Sequence, residues 1–286
     1  MAKKRKKKKK GDKHSFDSQT LNAHQQTGTT ENGACLTGHE GTFKDGVSCS
    51  YRWQARERAD EQEDRGWYNF PAYEKVTIER GYTAFAVTRK PGGMKAPRTS
   101  LTAPSAAKRD WDVKYAGNFS DSTVKPYYYE AHHIIPKSLF NRSIYDAAKQ
   151  MREKQYRTYK LIRLSLLEAE YNINHKENMV ILPQDRSVSI ILRLPIHTVR
   201  PHHRDYDLYV KQGLSEVMME YAQNVAESID ECKDPPSALA KEKLIRLSRD
   251  TRKRIRIWGK TYGGEHLERL AIAQILGEAF SFGPQS

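Results

Sequence analysis

The chain has 286 residues, 37% of them hydrophobic, which is enough for one large domain or two small ones with an apolar core. No apolar stretch reaches 18 residues, and no apolar segment follows the basic start, so neither a membrane span nor a standard secretory signal is expected. The formal net charge is +14, and residues 1–13 alone hold nine Lys or Arg against one Asp, a net charge of +8.

A dense block of like charges repels itself and cannot bury apolar surface. Residues 1–26 are therefore predicted to be a disordered basic arm. Such an arm attracts polyanions, and nucleic acid is its natural partner. A solvated tail and a nuclear-localisation signal are alternatives that the same composition allows.

Residues 27–120 are mostly polar and irregular, and a delivery or docking role is the hypothesis for this region. A charged, short helical stretch is predicted over residues 51–67, and alternating apolar residues indicate strands around 76–78 and 85–87. The three cysteines lack CxxC spacing, so neither a disulfide framework nor a four-cysteine zinc site is expected.

The second half of the chain is predicted to be largely helical. Apolar residues at three- and four-residue steps predict one amphipathic helix over 144–169 and another over 204–231, with a kink at Gly213. A strongly basic helix (KEKLIRLSRDTRKRIRIW) and a short apolar one follow. Residues 213–286 are therefore predicted to be a C-terminal helical region with a basic helix.

The stretch YYYEAHHIIPKSLF places His132 and His133 in an apolar and aromatic run. Single-metal phosphodiester hydrolysis needs metal ligands, a neutral base and a group that fixes the base. Adjacent strand side chains point to opposite faces, so the two histidines can share a site only where the strand ends or bends, as Pro136 suggests. The downstream stretch NINHKENMVILP predicts a turn and a strand that can pair with the first.

Several spaced elements resemble the Ala-His-His branch of the HNH/endonuclease VII nuclease superfamily over about residues 127–210. They are E-A-H-H-I-I-P, N-x-x-x-L-P at 178–183, L-P-x-H, and H-x-x-Y at 203–206. The resemblance implies an α+β fold in which a small ββα-metal nuclease core, residues 121–212, is elaborated with long helices.

The same resemblance implies roles for individual residues. His132 would ligate the metal, His133 would be the general base, and Asn178 would orient His133. His203 would be a second ligand and His197 a third ligand or a substrate contact. The gap between His197 and His203 is longer than usual, which leaves His202 and His203 open as alternatives.

The predicted function is metal-dependent endonuclease activity with little sequence specificity, using one divalent ion of Mg, Mn or Zn. The family resemblance alone favours DNA over RNA. Four basic side chains near the motifs are predicted to hold phosphates: Lys137, Arg186, Arg200 and Arg204. The alternative is a non-catalytic nucleic-acid-binding protein with a structural histidine–metal site.

The resemblance also implies a biological setting, that of a bacterial toxin module. Such a protein would be cytoplasmic where it is made, exported without a cleavable signal peptide, and neutralised by an acidic immunity protein.

Overall fold

A computed structural model of the protein describes residues 33–37, 43–61, 68, 70–74, 85–86, 99–100, 104–115, 117–120, 125–197 and 204–276. The predicted basic arm, the strand predicted at 76–78, and the side chains of Arg200, His202 and His203 lie outside these residues. Within them, no helix is long and apolar enough to cross a membrane.

The described part of the chain is an α+β structure, as predicted. Its helices are α1 (Tyr51–Asp60), α2 (Phe70–Glu74), α3 (Lys137–Gln150), α4 (Gln155–Glu168), α5 (Arg186–Leu192), α6 (Arg204–Glu231), α7 (Ser237–Thr261) and α8 (Leu267–Leu276). Its strands are β1 (Phe85–Ala86), β2 (Thr99–Ser100), β3 (Tyr129–His133) and β4 (Met179–Pro183). β1 pairs with β2 and β3 with β4, both antiparallel.

The β3–β4 ribbon carries the histidine motif, and its pairing was predicted correctly. Ala131 lies opposite Ile181, His132 opposite Val180 and His133 opposite Met179. Every residue of β4 is buried, whereas the burial of β3 is interrupted at Glu130 and His133. The ribbon therefore anchors one strand in the core and leaves the end of the other accessible.

The single helix predicted over residues 144–169 is wrong. α3 and α4 are separate helices, joined by a 3-10 turn from Arg152 to Lys154, and they pack together as a helical hairpin. Arg152 has a φ of 49°, a left-handed conformation that ends the helix. Because neither Gly nor Pro marks this break, the amphipathic pattern runs straight across it.

The long helix α6 occupies the predicted residues. Gly213 lies where α7 crosses it, and a Cβ atom at this position would be 2.9 Å from the Leu247 side chain. The glycine thus permits close packing of the two longest helices.

The N-terminal region packs into the same core as the histidine ribbon. The backbone of Cys35 donates to Tyr171 (3.0 Å) and accepts from Ile173 (2.8 Å), forming a parallel bridge beside the Asn-rich turn. α1 lies against β4, and its Ala55 and Ala59 belong to the main apolar cluster.

Two of the tyrosines that precede the histidines are packing residues. Tyr127 and Tyr129 are each 1% exposed and contact the ring of Phe119, while Tyr127 also contacts Trp111. This aromatic cluster ties residues 104–120 to β3. Cys35, Cys49 and Cys232 form no disulfide bond within the described residues.

Candidate active site

His132 lies among aromatic rings where β3 meets the start of α6. Its ring centre is 5.2 Å from that of His197 and 4.9 Å from that of Tyr206, both in edge-on arrangements. His132 and His197 are 5% and 7% exposed. The structure thus brings together two of the predicted metal ligands. His203, the remaining predicted ligand, directly precedes Arg204, the first residue of α6.

Two contacts fix the start of α6 beside this pair. The Tyr206 hydroxyl donates to the carbonyl oxygen of Ile134 (2.7 Å), which follows the histidines in the chain. The Glu268 carboxylate accepts from the backbone N–H groups of Asp205 and Tyr206 (3.0 and 3.1 Å). A carboxylate at this helix end binds unpaired N–H groups and complements the positive end of the helix dipole.

His197 is held by backbone contacts with β4 and with the segment before α8. Its N–H donates to Pro183 (2.8 Å), while the neighbouring Ile196 exchanges backbone hydrogen bonds with Glu265 and Leu267. Gly259 of α7 packs against the loop at Arg193 that precedes His197. A Cβ atom at this position would lie 2.2 Å from the Arg193 carbonyl oxygen. Only glycine allows this approach, which fixes the loop that leads to His197.

His133 has different neighbours, because it occupies the next position of the strand. Its Nε2 lies 3.0 Å from Oδ1 of Asn174, and its ring centre is 5.1 Å from that of Tyr51. β3 ends at this residue, which meets the condition that adjacent histidines need in order to serve one site.

The contacts of Asn174 determine the tautomer of His133. Its side-chain Nδ2 donates to the carbonyl oxygen of Thr37 (3.0 Å) and to Sγ of Cys35 (3.5 Å). A carbonyl can only accept, so the amide nitrogen faces Thr37 and the amide oxygen faces His133. Nε2 of the neutral imidazole therefore carries the proton, and Nδ1 is the nitrogen with a lone pair.

The surroundings of His133 favour its neutral form. Burial lowers the pKa of His133 below its ordinary value of 6.5, and the positive charge of Lys137 acts in the same direction. The contact with Asn174 and the nearby Cys35 oppose this shift without cancelling it. A neutral imidazole with a free Nδ1 can accept a proton from water at neutral pH.

Asn178 was predicted to orient His133, but its side chain contacts other groups. Its Oδ1 accepts from the N–H of Ile135 (2.8 Å) and the Ser248 hydroxyl (3.0 Å), and its Nδ2 donates to the carbonyls of Ile135 (3.1 Å) and Ile173 (2.8 Å). Asn178 thus fixes the chain just beyond β3, whereas the side chain that contacts His133 is Asn174. A catalytic role for Asn178 stays a prediction.

A buried ionic cluster holds the turn that carries these asparagines. Arg252 of α7 donates to the carbonyls of Lys176, Glu177 and Met179 (3.0, 2.6 and 3.0 Å). The Glu177 carboxylate accepts from Arg249 and Arg252 and lies 3.6 Å from Arg58. Burial alone would raise the pKa of Glu177, but these arginines lower it. Arg252, in the predicted basic helix, is a structural residue and only 3% exposed.

Sequence reasoning missed the contribution of residues 33–61 to this site. Tyr51, Thr37 and Cys35 contact His133 or Asn174, and Gln54 accepts from the N–H of Lys176 (2.8 Å). These residues lie about 80 to 140 positions from their partners, and no local pattern links segments so far apart. The one available signal for Asn174 was its place in the Asn-rich turn.

The predicted phosphate contacts surround the histidines only in part. Lys137 begins α3 and is close enough for its charge to influence His133. Arg186 and Arg204 are exposed at the first residues of α5 and α6. Arg200 lies outside the described residues.

The donors at His132 and His197 suit one divalent ion. A metal–nitrogen bond of about 2.0–2.1 Å, plus about 1.2 Å to the ring centre, puts two ligating rings about 4.5–5.4 Å apart at ligand angles of about 90–109°. The observed separation of 5.2 Å lies within this range. No group of three or more His, Cys, Asp or Glu in the described chain is arranged to hold a metal.

Comparison with known proteins identifies one family. The model of AHH, a nuclease family of the HNH/ENDO VII superfamily with conserved AHH, matches residues 114–243. This segment contains β3, β4, α3 to α6, all the histidines discussed above and the start of α7. No curated protein and no solved structure matches the chain.

Proposed function

We infer the function from the match of residues 114–243 to the model of the AHH family of HNH/ENDO VII nucleases, which implies a phosphodiester-hydrolysing nuclease. We propose that it is a metal-dependent endonuclease that cleaves DNA with little sequence specificity. The observation that carries this proposal is the contact between His133 and Asn174, which leaves Nδ1 of a neutral imidazole available as a base.

In the proposed reaction, Nδ1 of His133 removes a proton from water, and the resulting hydroxide attacks the scissile phosphorus. The P–O bond to the leaving oxygen breaks, and that oxygen takes a proton from solvent. Asn174 keeps the Nε2 proton in place, so the base cannot adopt the other tautomer. Tyr51 covers one part of the imidazole ring and limits its movement.

His132 and His197 are the residues that would hold the divalent ion, with His203 or His202 as a further ligand. Nucleases of this superfamily generally use a divalent metal. A bound ion would supply positive charge for the phosphate and the leaving oxygen. Imidazole ligands suit zinc, and a site completed by water and phosphate oxygens suits magnesium or manganese.

The first test is cleavage of supercoiled plasmid and of RNA by the full chain with Mg, Mn, Zn or a chelator. His133→Ala should lose cleavage by at least about a hundredfold, since general bases contribute about 10²–10⁴. The matched control is His266→Ala, which removes an exposed imidazole and leaves the backbone bridge between His266 and Ile196 in place. Tight binding of nucleic acid without cleavage of either polymer would favour the non-catalytic binding protein instead.

We propose further that the nuclease acts as a toxin restrained by an acidic immunity protein. The sequence resemblance and the basic surface around the site support this proposal. Induced expression should halt bacterial growth, and His133→Ala should restore it. Growth arrest by both forms would contradict a toxic role for the nuclease activity.

A further inference from the structure

The helical hairpin α3–α4 carries an excess of positive charge. Residues 137–168 contain eight Lys or Arg and three Asp or Glu, a net charge of +5. Lys154 forms an ion pair with Asp230 of α6, and buried Arg163 donates to Asn141, so these two cations have structural roles. The remaining cations of the hairpin lie partly or fully on its surface.

Several of these surface cations lack a carboxylate partner. Among the described residues, no Asp or Glu pairs with Lys149, Arg152 or Arg157, all of which are exposed. The Arg142 side chain is 76% exposed and approaches Asp146 only to 3.8 Å. Clustered cations without carboxylates repel one another, and a polyanion would relieve that repulsion.

Two exposed aromatic rings lie among these charges. Tyr145 of α3 is 49% exposed and Tyr156 of α4 is 69% exposed. Nζ of Lys160 lies 4.5 Å from the centre of the Tyr156 ring, and Tyr145 contacts Tyr159 edge-on across the hairpin. Aromatic rings interleaved with cations are typical of surfaces on which nucleic-acid bases stack beside their phosphates.

The hairpin also begins at the candidate active site. α3 starts at Lys137, four positions after His133, and its 14 residues extend about 21 Å from that point. At about 3.4 Å per phosphate of one duplex strand, this length corresponds to about six nucleotides.

We propose that the outer face of this hairpin is a second nucleic-acid-binding surface, which holds the substrate strand as it leaves the active site. The hairpin face is defined by Arg142, Tyr145, Lys149, Arg152, Tyr156 and Lys160. The inference rests on the proposed nuclease function, because that function makes nucleic acid the polyanion present at the start of α3. The cations bind phosphates and the two tyrosines stack on unpaired bases.

The test measures binding and cleavage by the full chain. Binding of labelled 30-base-pair DNA and 30-nucleotide single strands is measured in the His133→Ala background, over a series of salt concentrations. A charge variant combines Arg142→Gln, Lys149→Gln and Arg152→Gln, and an aromatic variant combines Tyr145→Ser and Tyr156→Ser. The controls change exposed residues elsewhere: Lys211→Gln with Lys233→Gln and Lys260→Gln, and Tyr115→Ser.

In the charge variant, the negative slope of log K against log salt should become less steep by about 2 to 3, and duplex binding should weaken at least about tenfold. The aromatic variant should weaken single-strand binding by about tenfold or more. If the surface is specific to the hairpin, the affinity of both control variants should stay within about twofold of that of the His133→Ala chain. Unchanged circular dichroism and melting temperature would show that the variants are folded.

Cleavage by the same variants in the otherwise unaltered chain separates this proposal from the proposed function. For long substrates the loss should appear in KM and not in kcat. A dinucleotide substrate should be insensitive, since Arg142, the first altered residue, lies about 7.5 Å along α3 from Lys137. Hairpin-dependent binding without cleavage of any polymer would refute the nuclease function and support the surface. Metal-dependent cleavage by the charge and aromatic variants with unchanged binding and KM would overturn the proposed surface. Binding of an acidic protein to the hairpin face would not change that conclusion.

Discussion

Asn178 offers the sharpest test of how the site is built, because its side chain makes four hydrogen bonds in a buried setting. Replacement by Ala removes all four, two of them to the N–H and carbonyl of Ile135 and the others to Ile173 and Ser248. Ile135 and Ile173 are fully buried, so water cannot readily replace the lost partner. At about 1 kcal/mol for each bond, Asn178→Ala should lower the free energy of unfolding by about 4 kcal/mol.

The measurement is urea unfolding followed by tryptophan fluorescence, with the midpoint and slope compared between variants. Ser248→Ala is the matched control, because it removes one of the four bonds and leaves Asn178 bonded to the backbone. It should lower the free energy of unfolding by about 1 kcal/mol. A loss below about 1 kcal/mol for Asn178→Ala would refute the reasoning, since the bonds would then contribute no net stability.

Three further predictions follow from buried charged groups. Arg252→Met should cost about 3–5 kcal/mol in urea unfolding by leaving the carbonyls of Lys176, Glu177 and Met179 without their donor, whereas exposed Arg254→Met should cost under about 0.5 kcal/mol; equal losses would contradict the structural role. Because burial lowers the pKa of His133, kcat/KM should stay high as pH falls through 6.5 and decline only below it, and an inflection at or above 6.5 in the pH profile would contradict this. Burial raises the pKa of Asp185 from 3.8 to about 6, so between these pH values the folded state holds a proton that the unfolded state has lost. The free energy of unfolding should therefore fall by about 1–2 kcal/mol, after allowance for solvent screening, as pH rises from about 4 to 7. Asp185→Asn keeps an acceptor for the Val188 N–H and should make the melting temperature less dependent on pH over this range. An equally steep dependence in the variant would show that other groups cause it.

The sequence predicted those parts of the fold that depend on local periodicity. The limits of α6 and the strand at Met179 both follow from patterns within a few residues of each other. The break at Arg152 did not, because no Gly or Pro marks its left-handed backbone.

The proximity of two histidines could be predicted from the sequence, whereas the side chains that surround them could not. His132 and His197 were expected to meet, and they do. The role of Asn174 could not be separated from that of Asn178, since both follow the same Asn-rich turn and only their contacts with distant segments differ. Arg252 resembled its solvated neighbours because composition cannot reveal which face of a basic helix is buried.

The parallel bridge at Cys35 attaches the N-terminal segment to the Asn-rich turn across a long stretch of chain. The contact of Asn174 with Thr37 joins positions 137 residues apart, and that of Arg252 with Lys176 joins positions 76 apart. A cut of the chain between α1 and β3 would therefore leave Thr37 and Asn174 held together by non-covalent contacts alone.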